Sequence, residues 1–337
     1  MEPITQVLAA VALARCGFKR ITPLAVPIMV TAGLAPDVDW VSVFGGARIF
    51  LEAHRTATHS LFGIAVMAAV VATAFIPIGQ RLGQRVRFGP AFASALAAGV
   101  LHLLLDLTGS YGVKLLWPFS ARWFAWDLTA SLDPWILFLL LGGLFLPALF
   151  RMITEEIGAK EKRPAVERGA VMALVLVALF CCARLVLHQR AMALLGAREY
   201  GGETANLAGA FPQSFSPLEW NGVVDTDDTM DEIEVSFAPG AAFDPDTTRV
   251  NYKTDPSAAL FAAQRSDAGA AFLRFARFPL ASVEPLGDGY RVTLRDLRFD
   301  AGPHADRNVI ARIVVDANNH VTQQGFLFDA GEASGGQ

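Results

Sequence analysis

Five runs of apolar residues dominate the first half of the chain, at about 21–37, 59–79, 90–108, 132–150 and 169–188. Each comes close to the roughly 20 residues that a helix needs to cross the hydrocarbon core of a bilayer. A sixth, at about 4–17, is shorter and fits a short span or an interfacial helix. Runs of this length leave few options, because a chain in lipid must satisfy its own backbone hydrogen bonds and does so mainly as helices. All six lie before residue 190.

Charge divides the chain at the same place. Only 18% of the residues are charged. Residues 1–190 hold 17 Lys and Arg against 11 Asp and Glu, a net of +6, and residues 191–337 hold 11 against 21, a net of −10. The short loops sort the basic residues further. Arg15, Lys19 and Arg20, then Arg81, Arg85 and Arg87, then Arg151, Lys160, Lys162, Arg163 and Arg168 fall on one side if the spans alternate. Arg48, Arg55, Lys114 and Arg122 fall on the other. Basic loops stay cytoplasmic, so the N-terminus and everything after residue 190 are expected outside. The first apolar run has its basic residues behind it and no small-residue cleavage site, so it reads as part of the mature protein.

From about residue 200 the texture is that of a water-soluble domain. Short strand-like runs occur at 231–237, 289–295, 309–316 and 320–328, with a hairpin turn at Gly287-Asp288-Gly289 and an amphipathic helix over 257–277 ending before Pro279. The expected architecture is therefore a membrane all-α domain of five to six transmembrane helices over 1–190, followed by an extracytoplasmic α+β domain with an antiparallel sheet over 200–330. The acidity of the second part argues against nucleic-acid binding. Cys16, Cys181 and Cys182 form no CxxC pair and read as small buried hydrophobes. Arg184 and His188 read as snorkelling groups at the end of the last span. Arg274, Arg277, Arg295 and Arg298 read as solvated faces.

Ionisable groups near membrane spans are costly and mark function, and here they cluster. Asp37 and Asp39 close one span. His54 and His59 open the next. His102 and Asp106, four apart on one helix face, sit near the end of the third. Asp127 and Asp133 precede the fourth. The alternating topology carries all eight to the outer face. A lone histidine in an apolar helix is usually structural, and Asp133 before Pro134 fits a helix start. Four segments delivering such groups to one level favour a site. Histidine and aspartate suit a divalent metal: zinc, with manganese or iron as alternatives. Such a metal acidifies a bound water and polarises a phosphoryl or carbonyl oxygen.

Several motifs run through residues 1–150: Pro36-Asp37-Val38-Asp39-Trp40, His54-Arg55 with Thr58-His59-Ser60, His102 with Asp106, the stretch Ser110 to Ser120, and Asp133-Pro134. Together they resemble the bacterial inner-membrane metal-dependent hydrolases of the DUF457 (YdjM/YbcI-like) type. The C-terminal region looks like an extension present in a subset, with a FARFP segment at 275–279 and a DxRF segment at 296–299. The resemblance implies a multi-pass protein of the cytoplasmic membrane and a hydrolytic activity distantly similar to that of zinc-dependent phospholipase C-like proteins. Members often read D-x-x-T-H near the start. Here that segment is Glu2-Pro3-Ile4-Thr5-Gln6, with Gln6 in the place of a ligating histidine.

The expected ligands are thus Asp37, Asp39, His54, His59, His102 and Asp106. Asp133 is a further ligand or a supporting carboxylate, and Arg55 is the cation that steadies developing phosphoryl charge. The expected partners are membrane lipids and a lipid or other amphiphilic phosphoester substrate. Two rivals stand beside this reading. An ion-coupled transporter needs polar groups through the full bilayer depth, whereas the inner halves of these spans are almost purely apolar. A non-catalytic assembly or sensor protein with a structural metal fits the loss of the histidine at position 6.

Overall fold

In the computed structural model, residues 1–156, 164–241, 243, 248–299 and 309–328 are described. Lys160, Lys162 and Arg163, counted above among the loop cations, lie outside them. The contacts divide the chain into two units, Met1–Trp40 with His54–Leu185, and Val41–Ala53 with Val186–Gln337.

The first unit is helical. Its helices are α1 (Pro3–Arg15), α2 (Ala25–Leu34), α4 (Leu61–Arg81), α5 (Phe88–Leu107), α6 (Pro134–Glu156) and most of α7 (Pro164–Gly196), and α3 (Ala47–Ala53) belongs to the second unit. All six apolar stretches are helical. Four helical segments among the described residues are long and apolar enough to cross a membrane: Ala25–Gly45, Leu61–Arg81, Phe88–Leu107 and Glu167–Gly196. Pro3–Arg15 and Pro134–Pro147 are shorter apolar helices. Bulky apolar side chains point outward in helical steps, including Phe62, Val66 and Val70 on α4 and Phe138, Leu141 and Phe145 on α6. Lipid is the solvent that such faces require.

Small residues set the helix spacing. A Cβ on Gly99 of α5 would stand 2.7 Å from Ile64 Cγ2 of α4, and one on Gly143 of α6 would stand 2.7 Å from the carbonyl oxygen of Gly169 on α7. Glycine at these crossings lets backbones approach closely, which is how helices gain packing energy in lipid. Ala14, Ala32, Ala68, Ala72, Ala91 and Ala95 fill one core, and Ala9, Ala12, Ile136, Leu140 and Ala173 fill another.

Two local breaks position the polar residues. Pro36 cannot continue the α-helical hydrogen bonding, and α2 passes into a 3₁₀ segment over Ala35–Gly45 that carries Asp37 and Asp39. Ser60 then caps α4, its hydroxyl accepting from the Gly63 amide at 2.9 Å. At the other end of the unit, Arg20 pairs with Glu167 at 2.8 Å. This brings two of the basic loops together, as alternating spans require. Arg184 is buried, and its Nε donates to the Leu128 carbonyl at 2.7 Å. The snorkelling reading of this residue therefore gives way. Backbone and side-chain partners inside the protein let the cation stay at depth.

The second unit holds antiparallel sheets, as expected, but two four-stranded ones rather than one. Strands β3 (Leu207–Pro212), β4 (Glu219–Asp225), β5 (Thr229–Ser236) and β6 (Arg249–Tyr252) form a meander. Strands β7 (Pro279–Leu286), β8 (Gly289–Asp296), β9 (Val309–Val315) and β10 (Val321–Phe328) form a second, and β1 (Glu199–Tyr200) and β2 (Glu203–Thr204) make a small ribbon. The hairpin at 287–289 is present, with Leu286 opposite Gly289. The helix expected over 257–277 is two helices, α8 (Ala258–Arg265) and α9 (Asp267–Phe275). The Ser266 hydroxyl accepts from Gly269 N and starts a new helix in mid-pattern. Both helices pack on the second sheet through Leu260, Ala263 and Phe272 against Val292, Leu294 and Ile313.

The FARFP and DxRF segments explain each other. Asp296 accepts from the backbone amides of Arg277 and Arg298 and from Arg298 Nε, at 2.8–3.1 Å, while Arg298 also donates to the Phe275 carbonyl at 3.0 Å. Both side chains are buried. Arg298 is thus an internal brace and not a solvated face, because its fork has acceptors on the residues around it. α3 belongs to this unit too, burying Phe50 and Leu51, with Glu52 paired to Arg274 at 3.0 Å and Arg48 to Asp267 at 3.2 Å.

Candidate metal centre

Four elements of the helical unit deliver polar side chains to one buried point. Asp37 and Asp39 come from the 3₁₀ segment. His54, Arg55 and His59 come from the loop before α4, where Arg55 adopts a left-handed backbone (φ 55°). His102 and Asp106 come from the last turns of α5. Gln6 comes from α1. His59, His102 and Asp106 are fully buried, and His54, Arg55 and Gln6 nearly so.

The hydrogen bonds fix the tautomers. His102 Nδ1 lies 2.7 Å from the carbonyl oxygen of Gly33. A carbonyl can only accept, so Nδ1 carries the proton and Nε2 presents a lone pair. His59 Nδ1 lies 3.1 Å from Asp39 Oδ2, which likewise accepts, so Nδ1 carries a proton and Nε2 presents a lone pair once the ring's second proton is displaced. These two Nε2 atoms face each other at 3.2 Å. Asp106 Oδ2 lies 3.2 Å from both, and Asp37 Oδ1 lies 3.6 Å from His59 Nε2 and 3.8 Å from His102 Nε2. Acceptors aimed at acceptors in a buried site repel unless a cation lies between them.

The spacing suits a metal. Two donors each about 2.0–2.1 Å from one zinc, at a tetrahedral angle, stand roughly 3.3–3.4 Å apart. Asp37, His59 and His102 offer donor atoms that all lie within 4.8 Å of one another. Among the described residues, Asp37 Oδ2 and Asp106 Oδ2 are buried without a hydrogen-bond partner. A proton is the competing cation. Burial alone would push the His59 imidazole down, but Asp106, Asp37 and Asp39 outweigh it and hold it up to about 10. A metal bound here would displace that proton.

The remaining polar residues form a layer behind these atoms. Asp39 accepts from Arg55 N at 2.7 Å and Thr58 Oγ1 at 2.9 Å, and faces His54 Nδ1 at 2.9 Å. Its carboxylate is spent orienting the two histidines. His54 lies edge-on to Trp40 and Tyr111, and burial pushes its imidazole below the usual value. Arg55 NH2 stands 3.6 Å from Asp106 Oδ1, and its guanidinium lies over the Tyr111 ring at 5.0 Å. Among the described residues its Nε is buried without a hydrogen-bond partner. The amino group of Met1 ion-pairs with Asp106. Gln6 Nε2 donates to Asp106 Oδ1 at 3.3 Å and to the His102 carbonyl at 3.4 Å.

The six expected ligands therefore separate. Asp37, His59, His102 and Asp106 converge, while Asp39 and His54 stand behind them. Asp133 caps α6, accepting from Trp135 N at 3.0 Å and Ile136 N at 3.2 Å, with Arg184 as its charged neighbour. No described contact joins it to the His–Asp group. Asp127 is buried in the same loop with a left-handed backbone. Sequence reasoning quoted Thr58 and Tyr111 only within motifs, without a role at the site, and missed the Gly33 carbonyl. Thr58 carried a signal, being adjacent to His59. The Gly33 carbonyl carried none, because every residue has one.

A family model described as YdjM inner membrane protein matches residues 1–191. The chain belongs to this family. It is the DUF457-type family that the motifs resemble, and its helical unit is that of a membrane protein. The uncharacterized protein YfhP of Bacillus subtilis (strain 168) is 30% identical over 113 residues, covering 33% of this chain and 33% of that protein. The match thus spans about one third of the relative's length. No solved structure matches.

Proposed function

We propose that this protein is a membrane-bound metal-dependent hydrolase, phosphoesterase-like, acting at the outer face of the cytoplasmic membrane on a lipid or other amphiphilic phosphoester. One observation carries the reading. The lone pairs of His59 Nε2 and His102 Nε2 and the oxygens of Asp37 and Asp106 are aimed at a common point inside an apolar helical bundle. On this reading those four residues hold a divalent metal, zinc by donor type. Bound there, the metal supplies an acidified water and a Lewis acid for a phosphoryl oxygen. Asp39 keeps both imidazole planes in place. Arg55, with its unmatched buried Nε, attracts an anionic phosphoryl group and steadies the charge that develops on it. The surrounding lipid-facing helices favour a substrate that arrives along the bilayer. The basic loops, Arg20 among them, support a cytoplasmic side that leaves the C-terminal unit outside.

A structural metal in a non-catalytic assembly or sensor protein is the second reading. It is favoured by Gln6, which serves Asp106 where the family's histidine stands. Turnover separates the two. Detergent-purified protein loaded with zinc or manganese is assayed on short-chain phospholipids and on a chromogenic phosphodiester, beside Arg55→Met and His102→Ala. Hydrolysis that falls at least 100-fold in both variants, with metal retained in Arg55→Met, supports the enzyme. Full metal loading without turnover on any phosphoester leaves the structural metal as the better account. Reporter fusions at residues 82 and 240 check orientation, and a cytoplasmic signal from the second would reverse the proposed side.

A further inference from the structure

A cavity of about 460 Å³ lies within the second unit, lined by Arg198, Glu199, Tyr200, Asp231, Ile233 and Val250, among others. It opens beside the first four-stranded sheet, where Asp231 of β5 stands in register between Val224 of β4 and Val250 of β6. Asp231 is 4% exposed, and among the described residues its Oδ1 is buried without a hydrogen-bond partner. A carboxylate oxygen left in this state in the wall of a cavity calls for a cation. The cation that lines the cavity does not neutralise it. Arg198 lies over the Phe243 ring at 4.0 Å and forms no described ion pair with Asp231.

We propose that this cavity is a binding site for a small organic ammonium, with the Asp231 carboxylate as its counter-ion. A hydrated metal fits less well. Calcium takes six to eight oxygen ligands and magnesium about six, whereas Tyr200, Ile233, Phe243 and Val250 make much of this wall apolar. An ammonium needs one buried carboxylate and apolar walls for its carbon substituents. Glu199, exposed at the rim, adds attraction on the approach. The volume leaves room for the substituents of the ammonium. The ammonium could belong to a free amine or to an aminolipid headgroup, and Arg198 at the same cavity gives the second a place for its phosphate.

The test is titration calorimetry on the full-length protein in detergent, with ethanolamine and phosphoethanolamine as probes. Saturable one-to-one binding of ethanolamine is expected, weakened at least tenfold by Asp231→Asn. It is expected to be lost in Val250→Trp, which fills the cavity from an edge-strand position that is 46% exposed. If Asp231→Asn fails to fold, the tryptophan variant carries the test alone. Tighter binding of phosphoethanolamine assigns the headgroup as source, and equal binding assigns the free amine; both uphold the ammonium site. Absence of saturable binding of either probe overturns the proposal. So does unchanged binding in both variants, or binding of calcium in place of the amines.

Discussion

Buried charge occurs in both units, with opposite bookkeeping. In the second unit Asp296 and Arg298 are sealed in the core, and the pair's oxygens and guanidinium meet one another, backbone amides and the Phe275 carbonyl. In the helical unit His59, His102 and Asp106 are buried as deeply and Asp37 is partly buried, yet their acceptor atoms face one another. The residue types overlap, and burial does not tell the two places apart. Saturation does: a closed set of donors and acceptors is structure, and a set of converging acceptors that only a shared cation, proton or metal, can hold together is a binding site.

The contrast breaks first at the metal. His102→Ala and His59→Ala are each expected to abolish stoichiometric metal in detergent-purified protein, measured by mass spectrometry beside wild type. Retention of one equivalent in both would mean that the converging lone pairs are not the binding site. The complementary change is at the brace. Asp296→Asn leaves Arg298 as a buried, unmatched cation and should cost about 3–5 kcal/mol of stability. That is visible as a lower unfolding midpoint with metal content unchanged. A midpoint within a degree or two of wild type would show that the brace tolerates an unpaired charge.

Much of this was legible in sequence, unevenly. The helices followed from apolar run length, because a bilayer admits few alternatives. The family followed from PxDxDW, HRxxTH and His102 with Asp106. What escaped was the division of labour among the acidic residues. Asp37 and Asp39 are two apart and look equivalent in sequence. A 3₁₀ turn sends one to the converging atoms and the other to the far nitrogens of His54 and His59. In the second unit, β3, β4 and β7 went unread because Gly209, Gly222 and the two prolines of β7 interrupt their alternation. The Ser266 break was hidden inside a continuous helical pattern.

Changes behind the converging atoms should act more weakly than changes to them. Asp39→Asn removes the carboxylate that orients both imidazoles and is expected to lower metal affinity about 10–100-fold, the usual scale for such supporting groups. A competition titration with a chelating dye reads this directly, and a change under twofold would show that Asp39 does not orient the ligating imidazoles. Protons give the next test. Without metal, His59 holds a proton up to about 10, against about 6.5 in an unfolded chain. That stabilises the apo protein fully below about 6.5, and the contribution fades as pH rises through about 10. Metal binding must expel the proton. Affinity should therefore rise about tenfold per pH unit between 7 and 9, with about one proton released, measured by calorimetry in buffers of different ionisation enthalpy. No proton release at pH 7 would show that the imidazole is already neutral.

The smallest expected effect is at Gln6. Its amide donates to Asp106 Oδ1 and to the His102 carbonyl, holding the carboxylate so that Oδ2 meets the imidazoles. Gln6→Ala should cost roughly 1 kcal/mol of stability, the worth of a buried hydrogen bond, and loosen metal binding only a few-fold. Gln6→His asks the sharper question. If position 6 is a ligand site that lost its donor, the imidazole should tighten binding or recruit a second metal. If the amide has become part of the scaffold, a histidine there withdraws a donor from Asp106 and adds an acceptor to a place already crowded with them, and affinity should fall. A rise would place the site nearer to catalysis, and a fall would place this chain among those whose metal holds the helices together.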